Sequence, residues 1–179
     1  MELEFKGTLY VGGEVDDEST LALLPDELRS FYQDVNGIIA FQGGLHIRGC
    51  VVDPPWHSLG EAWHGNQALH KIFPVLRESD IPFAQDCLGD QFVLRLGTVW
   101  HLMAESGEIE DLELELFDFL EEAIKEPIDF LSLEPLLVFL EENQVLEPGY
   151  LLRPDPPFVV EAEKYKLHKV KIEERLSDF

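Results

Sequence analysis

Apolar and polar positions change period several times along this chain, and each change predicts an element. After the polar run Asp16-Asp17-Glu18-Ser19-Thr20, the residues Leu24, Leu28, Phe31, Tyr32 and Val35 recur at helical spacing. Pro25 fits the first turn of such a helix, Asp26 and Glu27 complement its dipole, and Asn36-Gly37 supplies the stop. Ile38-Ile39-Ala40-Phe41 and Leu45-His46-Ile47-Arg48-Gly49 then read as two antiparallel strands joined across Gln42-Gly43-Gly44, where glycine permits positive φ. Beyond Asp53-Pro54-Pro55-Trp56 the period is lost until Leu69, Ile72, Phe73 and Leu76, a short helical stripe that Pro74 kinks or ends. Ile81-Pro82-Phe83-Ala84 reads as an edge strand, because proline brings no ladder donor, and Cys87-Leu88-Gly89-Asp90 as the turn into Gln91-Phe92-Val93-Leu94-Arg95-Leu96. Gly97-Thr98 turns again into Val99-Trp100-His101-Leu102-Met103, so a meander of three or more strands is expected.

In the second half Leu112, Leu116, Phe117, Leu120, Ala123 and Ile124 share one helical face, with Glu113, Glu115, Asp118, Glu121 and Glu122 on the other. This predicts an acid-rich helix from Leu112 to Lys125, ended by Pro127. A further helix from Ser132 to Asn143 is expected to turn Leu133, Leu136, Leu137 and Leu140 inward. Pro148-Gly149, Pro154 and Pro156-Pro157 break the chain, after which Tyr165, Leu167 and Val170 suit a strand and Ile172, Leu176 and Phe179 a terminal helix. The pattern sums to an α+β fold: a single domain in which an antiparallel β-sheet is packed by flanking helices. Residues 1–147 form its core and 148–179 a C-terminal strand and helix extension of the same domain.

With 179 residues, 45% of them hydrophobic, the chain has material for one buried core. Charge changes the picture more: 13 Lys+Arg stand against 36 Asp+Glu, a formal −23. Such a surface repels phosphate backbones and anionic lipid heads, so a nucleic-acid reader or a polybasic membrane binder is excluded and a basic protein partner favoured. Five basic residues, Lys164, Lys166, Lys169, Lys171 and Arg175, lie between Glu161 and Asp178, which leaves the remainder more acidic still. The start Met1-Glu2-Leu3-Glu4-Phe5-Lys6 has no basic region leading an apolar stretch, and no apolar run is long enough to span a bilayer. A cytoplasmic protein with Cys50 and Cys87 reduced is therefore expected.

Each catalytic template fails on residue type or spacing, with no phosphate-binding glycine loop, no G-x-S-x-G and no paired C-x-x-C. His46, His57, His64, His70, His101 and His168 form no metal-spaced pair, so no metal is expected. Asp86 and Asp90 flank Gly89 without the rest of a calcium loop, and turn chemistry is the favoured reading; a hydrolase built on the two carboxylates is a remote alternative. Trp56-His57 and Trp63-His64 are two Trp-His pairs behind a double proline, read as an aromatic patch facing a partner or, alternatively, as core. The candidate partner-binding residues are thus Trp56, His57, Trp63, Asp86 and Asp90, with no catalytic residue among them.

Taken in order, these segments resemble the SUKH superfamily of fungal cell-wall assembly regulators of Smi/Knr type and bacterial immunity proteins. Leu24-Pro25-Asp26-Glu27-Leu28-Arg29-Ser30-Phe31-Tyr32 running into Asn36-Gly37 is similar to its opening "LP-x-x-L-x-x-F-Y … N-G" helix and turn. Ile81 to Asp86 with Gly89-Asp90-Gln91-Phe92 resembles its "I-P-x-A-x-D-x-x-G-D-x-F" strand pair, and Leu116 to Leu120 its "S-F-x-x-F-L" helix, with leucine in place of serine and one residue fewer between the phenylalanines. Trp56 matches the tryptophan between the first hairpin and that strand pair, and the region beyond Pro127 lies outside the pattern. The resemblance implies an α+β domain without catalytic residues or cofactor. It implies a protein-binding module, of the immunity type that neutralises a toxin by binding it or of a regulatory scaffold type with several partners.

Overall fold

Asp17 caps a short helix, α1 (Glu18–Leu23), its Oδ1 accepting the Thr20 N–H at 3.1 Å. The next helix, α2 (Asp26–Asp34), is separate, because Leu24 precedes Pro25 and a residue before proline is pushed out of the helical region; its ψ is 147°. Pro25 is therefore the cap of α2 and not part of its first turn, a correction of one residue. Leu28, Phe31 and Tyr32 are the buried stripe of this helix, as its spacing predicts. The computed structural model describes residues 3–143 and 145–179, so Met1-Glu2 of the leader reading lies outside the described residues.

Seven antiparallel strands form one sheet in chain order: β1 (Tyr10–Val11), β2 (Ile38–Ala40), β3 (Leu45–Ile47), β4 (Ile81–Asp86), β5 (Gln91–Arg95), β6 (Thr98–Met103) and β7 (Glu108–Leu114). Between β3 and β4 lie two short helices, α3 (Leu59–His64) and α4 (Leu69–Ile72). After β7 come α5 (Leu116–Lys125), α6 (Pro127–Phe130) and α7 (Glu134–Glu142), then β8 (Tyr150–Asp155), β9 (Lys166–Lys171) and α8 (Ile172–Leu176). Among the described residues, β8 and β9 pair with each other as a separate two-stranded sheet.

Both faces of the large sheet are covered. Phe92 and Leu94 of β5 enter the main core with Phe31, Phe83, Phe119, Leu120 and Leu136, while Val93 between them joins Leu69, Phe73, Leu102 and Ala104 on the other face. Phe119 of α5 sits at the centre of the main core, its ring 4.9 Å from Phe92 and 5.7 Å from Phe83. The result is a single α+β domain, as the periodicity predicts. The C-terminal residues belong to it: the Leu152 N–H bonds the Cys87 carbonyl, and Arg175 Nε bonds that of Leu88 at 2.9 Å.

Three element readings are corrected. The strand containing Pro82 is central, not an edge; the proline lies at a register shift between Ile81 and Ala84, where the β4–β5 ladder skips a donor. Residues 112–114 belong to β7, and the acidic helix starts only at Leu116. Leu133 and Leu136 are buried as expected, but Phe139 of α7 is buried with them, whereas Leu137 is exposed and Leu140 half-buried. Among the described residues no helix is long and apolar enough to cross a membrane.

Candidate functional site

The sheet face beneath α3 and α8 carries polar side chains at its centre. His46, Gln85 and Gln91 lie directly opposite one another across β3, β4 and β5, and Arg48 follows on the same side of the chain as His46. All four are buried. Arg48 Nη1 donates to the Pro82 carbonyl at 2.7 Å, and Nη2 to Gln85 Oε1 at 3.0 Å and Gln91 Oε1 at 2.8 Å. A guanidinium only donates, so both amide oxygens must face it. That orientation turns Gln85 Nε2 toward His46 Nδ1, 3.0 Å away, and lets Gln91 Nε2 donate to Gln85 Oε1 and the Gly89 carbonyl.

The tautomers of two histidines follow. His46 Nδ1 accepts from Gln85, so the neutral ring carries its proton on Nε2, which faces His57 Nδ1 at 2.9 Å. His57 in turn carries its proton on Nε2, 3.3 Å from the Asn36 carbonyl. The rings stack with centroids 5.2 Å apart. A second proton on either ring would set N–H against N–H, and burial penalises the charge besides. His46 is accordingly held well below the usual imidazole range, first by burial and then by His57 and Arg48. Burial likewise pushes His57 down to about 4. The fit around His57 requires glycine at position 37, with φ +82° and a would-be Cβ 2.5 Å from the ring's Cε1.

Trp56 roofs this layer, its ring 5.6 Å from His46 and 5.2 Å from Tyr10. Beside it opens a cavity of about 330 Å³ lined by Arg48, Trp56, Glu61, Asn66, Ile172 and Leu176 among others. Burial in this setting lowers Arg48 to about 10, which leaves it cationic at neutral pH.

Of the residues singled out from the sequence, Trp56 is half-buried over this cavity, but His57 has no exposed surface and cannot touch a partner from its present position. Trp63 is also half-buried, packing on the main core and donating from Nε1 to the Glu78 carbonyl at 3.0 Å. Asp86 is buried, its Oδ1 accepting the N–H groups of Leu88, Gly89 and Asp90 at 2.8–3.0 Å, as turn chemistry requires; direct contact with a partner is closed to it too. Asp90, half-buried, accepts from the Ala104 N–H and faces His101 Nε2 at 3.2 Å. Burial and the neighbouring Asp90 push Asp86 up to about 8, whereas His101, despite burial that lowers it, is raised by Asp90, Asp86 and Glu110. The two clusters do not merge into one site. Cys50 and Cys87 are free, buried thiols. Among the described residues no three His, Cys, Asp or Glu side chains converge as metal ligands.

A different surface stands out by charge. One of the two edges of the large sheet is β7, where Glu108, Glu110, Asp111 and Glu113 are exposed, and the chain continues into the exposed Glu115, Asp118 and Glu121. Eight acidic residues and no basic one fall between positions 108 and 122. No family profile, curated protein or solved structure matches this chain.

Proposed function

We propose that this chain is a non-enzymatic binding protein of the SUKH immunity type, acting in the cytoplasm and neutralising a basic, nuclease-type toxin domain by covering it. The observation that carries the reading is the segregation of charge. Residues 1–147 hold seven basic against thirty acidic residues, and residues 148–179 hold six of each, so the whole excess of −23 falls on the first part. Its densest stretch runs from an edge strand, whose outer main-chain groups have no strand partner among the described residues, into α5. An acidic edge discourages pairing between copies and favours a strand or helix rich in Lys and Arg. Attraction of this kind speeds encounter and weakens as salt rises.

The test is affinity capture from the native lysate at low and then high salt, followed by mass spectrometry. A single stoichiometric basic protein that weakens at high salt is expected. The triple substitution Glu110→Lys, Asp111→Lys and Glu121→Lys, all on exposed positions, should abolish its capture. Several weak partners would favour a regulatory scaffold, and no partner at either salt would overturn the reading.

A further inference from the structure

Three arginines are buried, and two have carboxylates: Arg95 meets Asp80 at 2.6 Å, and Arg175 meets Glu105 and Asp178 at 3.0 and 3.1 Å. Arg48, only 2% exposed, has no carboxylate within 4.0 Å among the described residues. A buried cation without a counter-charge is costly unless something else supplies one. Its recorded acceptors are one carbonyl and two amide oxygens, which take three of the five N–H donors of a guanidinium. The same residue lines the cavity beside Trp56. Gln85 and Gln91 hold it from behind, so the group is fixed before any ligand arrives.

The rest of the lining narrows the chemistry. Trp56, Leu69, Ile172 and Leu176 offer apolar surface, and Glu61 and Glu173 bring carboxylates to the same cavity. A simple anion would be drawn by Arg48 yet repelled by those two glutamates and by the charge of the whole chain. A molecule with no net charge, carrying a carboxylate at one end and a cation near it, meets both. At about 330 Å³ the space is at the small end of ligand cavities.

We propose that this cavity binds a small zwitterion of the amino-acid type, its carboxylate on Arg48, its apolar side chain against Trp56 and Leu176, and its ammonium toward Glu61 and Glu173. The site shares no residue with the acidic edge of β7 and stands or falls independently of the protein partner proposed above.

The probes are L-phenylalanine, L-leucine and L-methionine, each compared with its C-terminal amide, which lacks the carboxylate, and its N-acetyl derivative, which lacks the ammonium. The readout is the Trp56 indole N–H resonance of the full chain, assigned with Trp56→Phe. A saturable shift is expected for at least one free amino acid, with affinity weakened about tenfold or more by either modification. Arg48→Gln should abolish the shift. Because that change also disturbs the polar layer, Ala62→Leu, which fills the cavity from α3, should produce the same loss with unfolding close to the parent's. The proposal is overturned if none of the three gives a saturable shift, if an amide or an acetylated derivative binds as tightly as its parent, or if Ala62→Leu leaves affinity unchanged.

Discussion

At the scale of residues, the chain Gln85, His46, His57 and the Asn36 carbonyl forms a file of hydrogen bonds with a single direction, set at one end by the guanidinium of Arg48. Its cost appears in acid. The ordinary imidazole value is 6.5, and His57 in the fold stands near 4, so between these the unfolded chain binds the extra proton. The stability contributed by keeping His57 neutral is complete above about pH 6.5 and is lost as pH falls toward 4, by about 3 kcal/mol at most. Asp86 and His101 are shifted upward and act with the opposite sign, so the measurement is a difference between the parent and His57→Gln, whose amide keeps one donor and one acceptor without titrating. Urea unfolding at several pH values should show the parent losing stability relative to the variant across that window; parallel curves would refute the lowered titration of His57. None of the layer's other members was legible in the sequence as a site residue. Alternation in Leu45-His46-Ile47-Arg48 reads as a half-solvated strand with its polar side outward. The one available signal was position: strands in the middle of a wide sheet need both faces covered, and their polar residues must then be buried and paired.

Among elements, the turn between β5 and β6 shows a local cost left in place. Leu96 and Gly97 both have positive φ, 52° and 91°, as a two-residue hairpin turn demands, and Leu96 is 92% exposed. Leucine has no local reason to adopt that conformation, whereas asparagine does. Leu96→Asn should raise stability by about 1 kcal/mol in urea unfolding, with the slope unchanged. A neutral or destabilising result would mean that the leucine side chain contributes something its exposure hides. The helix α2 and the hairpin strands β2 and β3 were legible because local spacing decides them. The misread elements depend on distant partners. Leu112, Leu116 and Leu120 keep helical spacing, yet Leu112, Leu114 and Leu116 also alternate, and pairing with β6 settles residues 108–114 as strand. Pro82 argues for an edge only where the ladder is regular, and here β4 is bulged at the proline.

Over the whole molecule, the imbalance of charge is a standing internal repulsion. Screening should therefore raise the unfolding midpoint: between very low salt and about 0.15 M sodium chloride, a gain of about 1 kcal/mol corresponds to roughly 2–4 °C for a chain of this size. A midpoint indifferent to salt would show that the acidic groups lie too far apart to repel. The nearly neutral residues 148–179 add no net charge but are bound to the rest through the carbonyls of Cys87 and Leu88 and through the ion pair of Arg175 with Glu105. This arrangement has a consequence during synthesis. A ribosome delivers the acidic part first, and at about 5–20 residues per second the last strands and helix follow some 2–6 s later. For that interval the carbonyls of Cys87 and Leu88 and the carboxylate of Glu105 wait for the groups of the C-terminal segment that bind them, and whatever meets the nascent chain meets a polyanion.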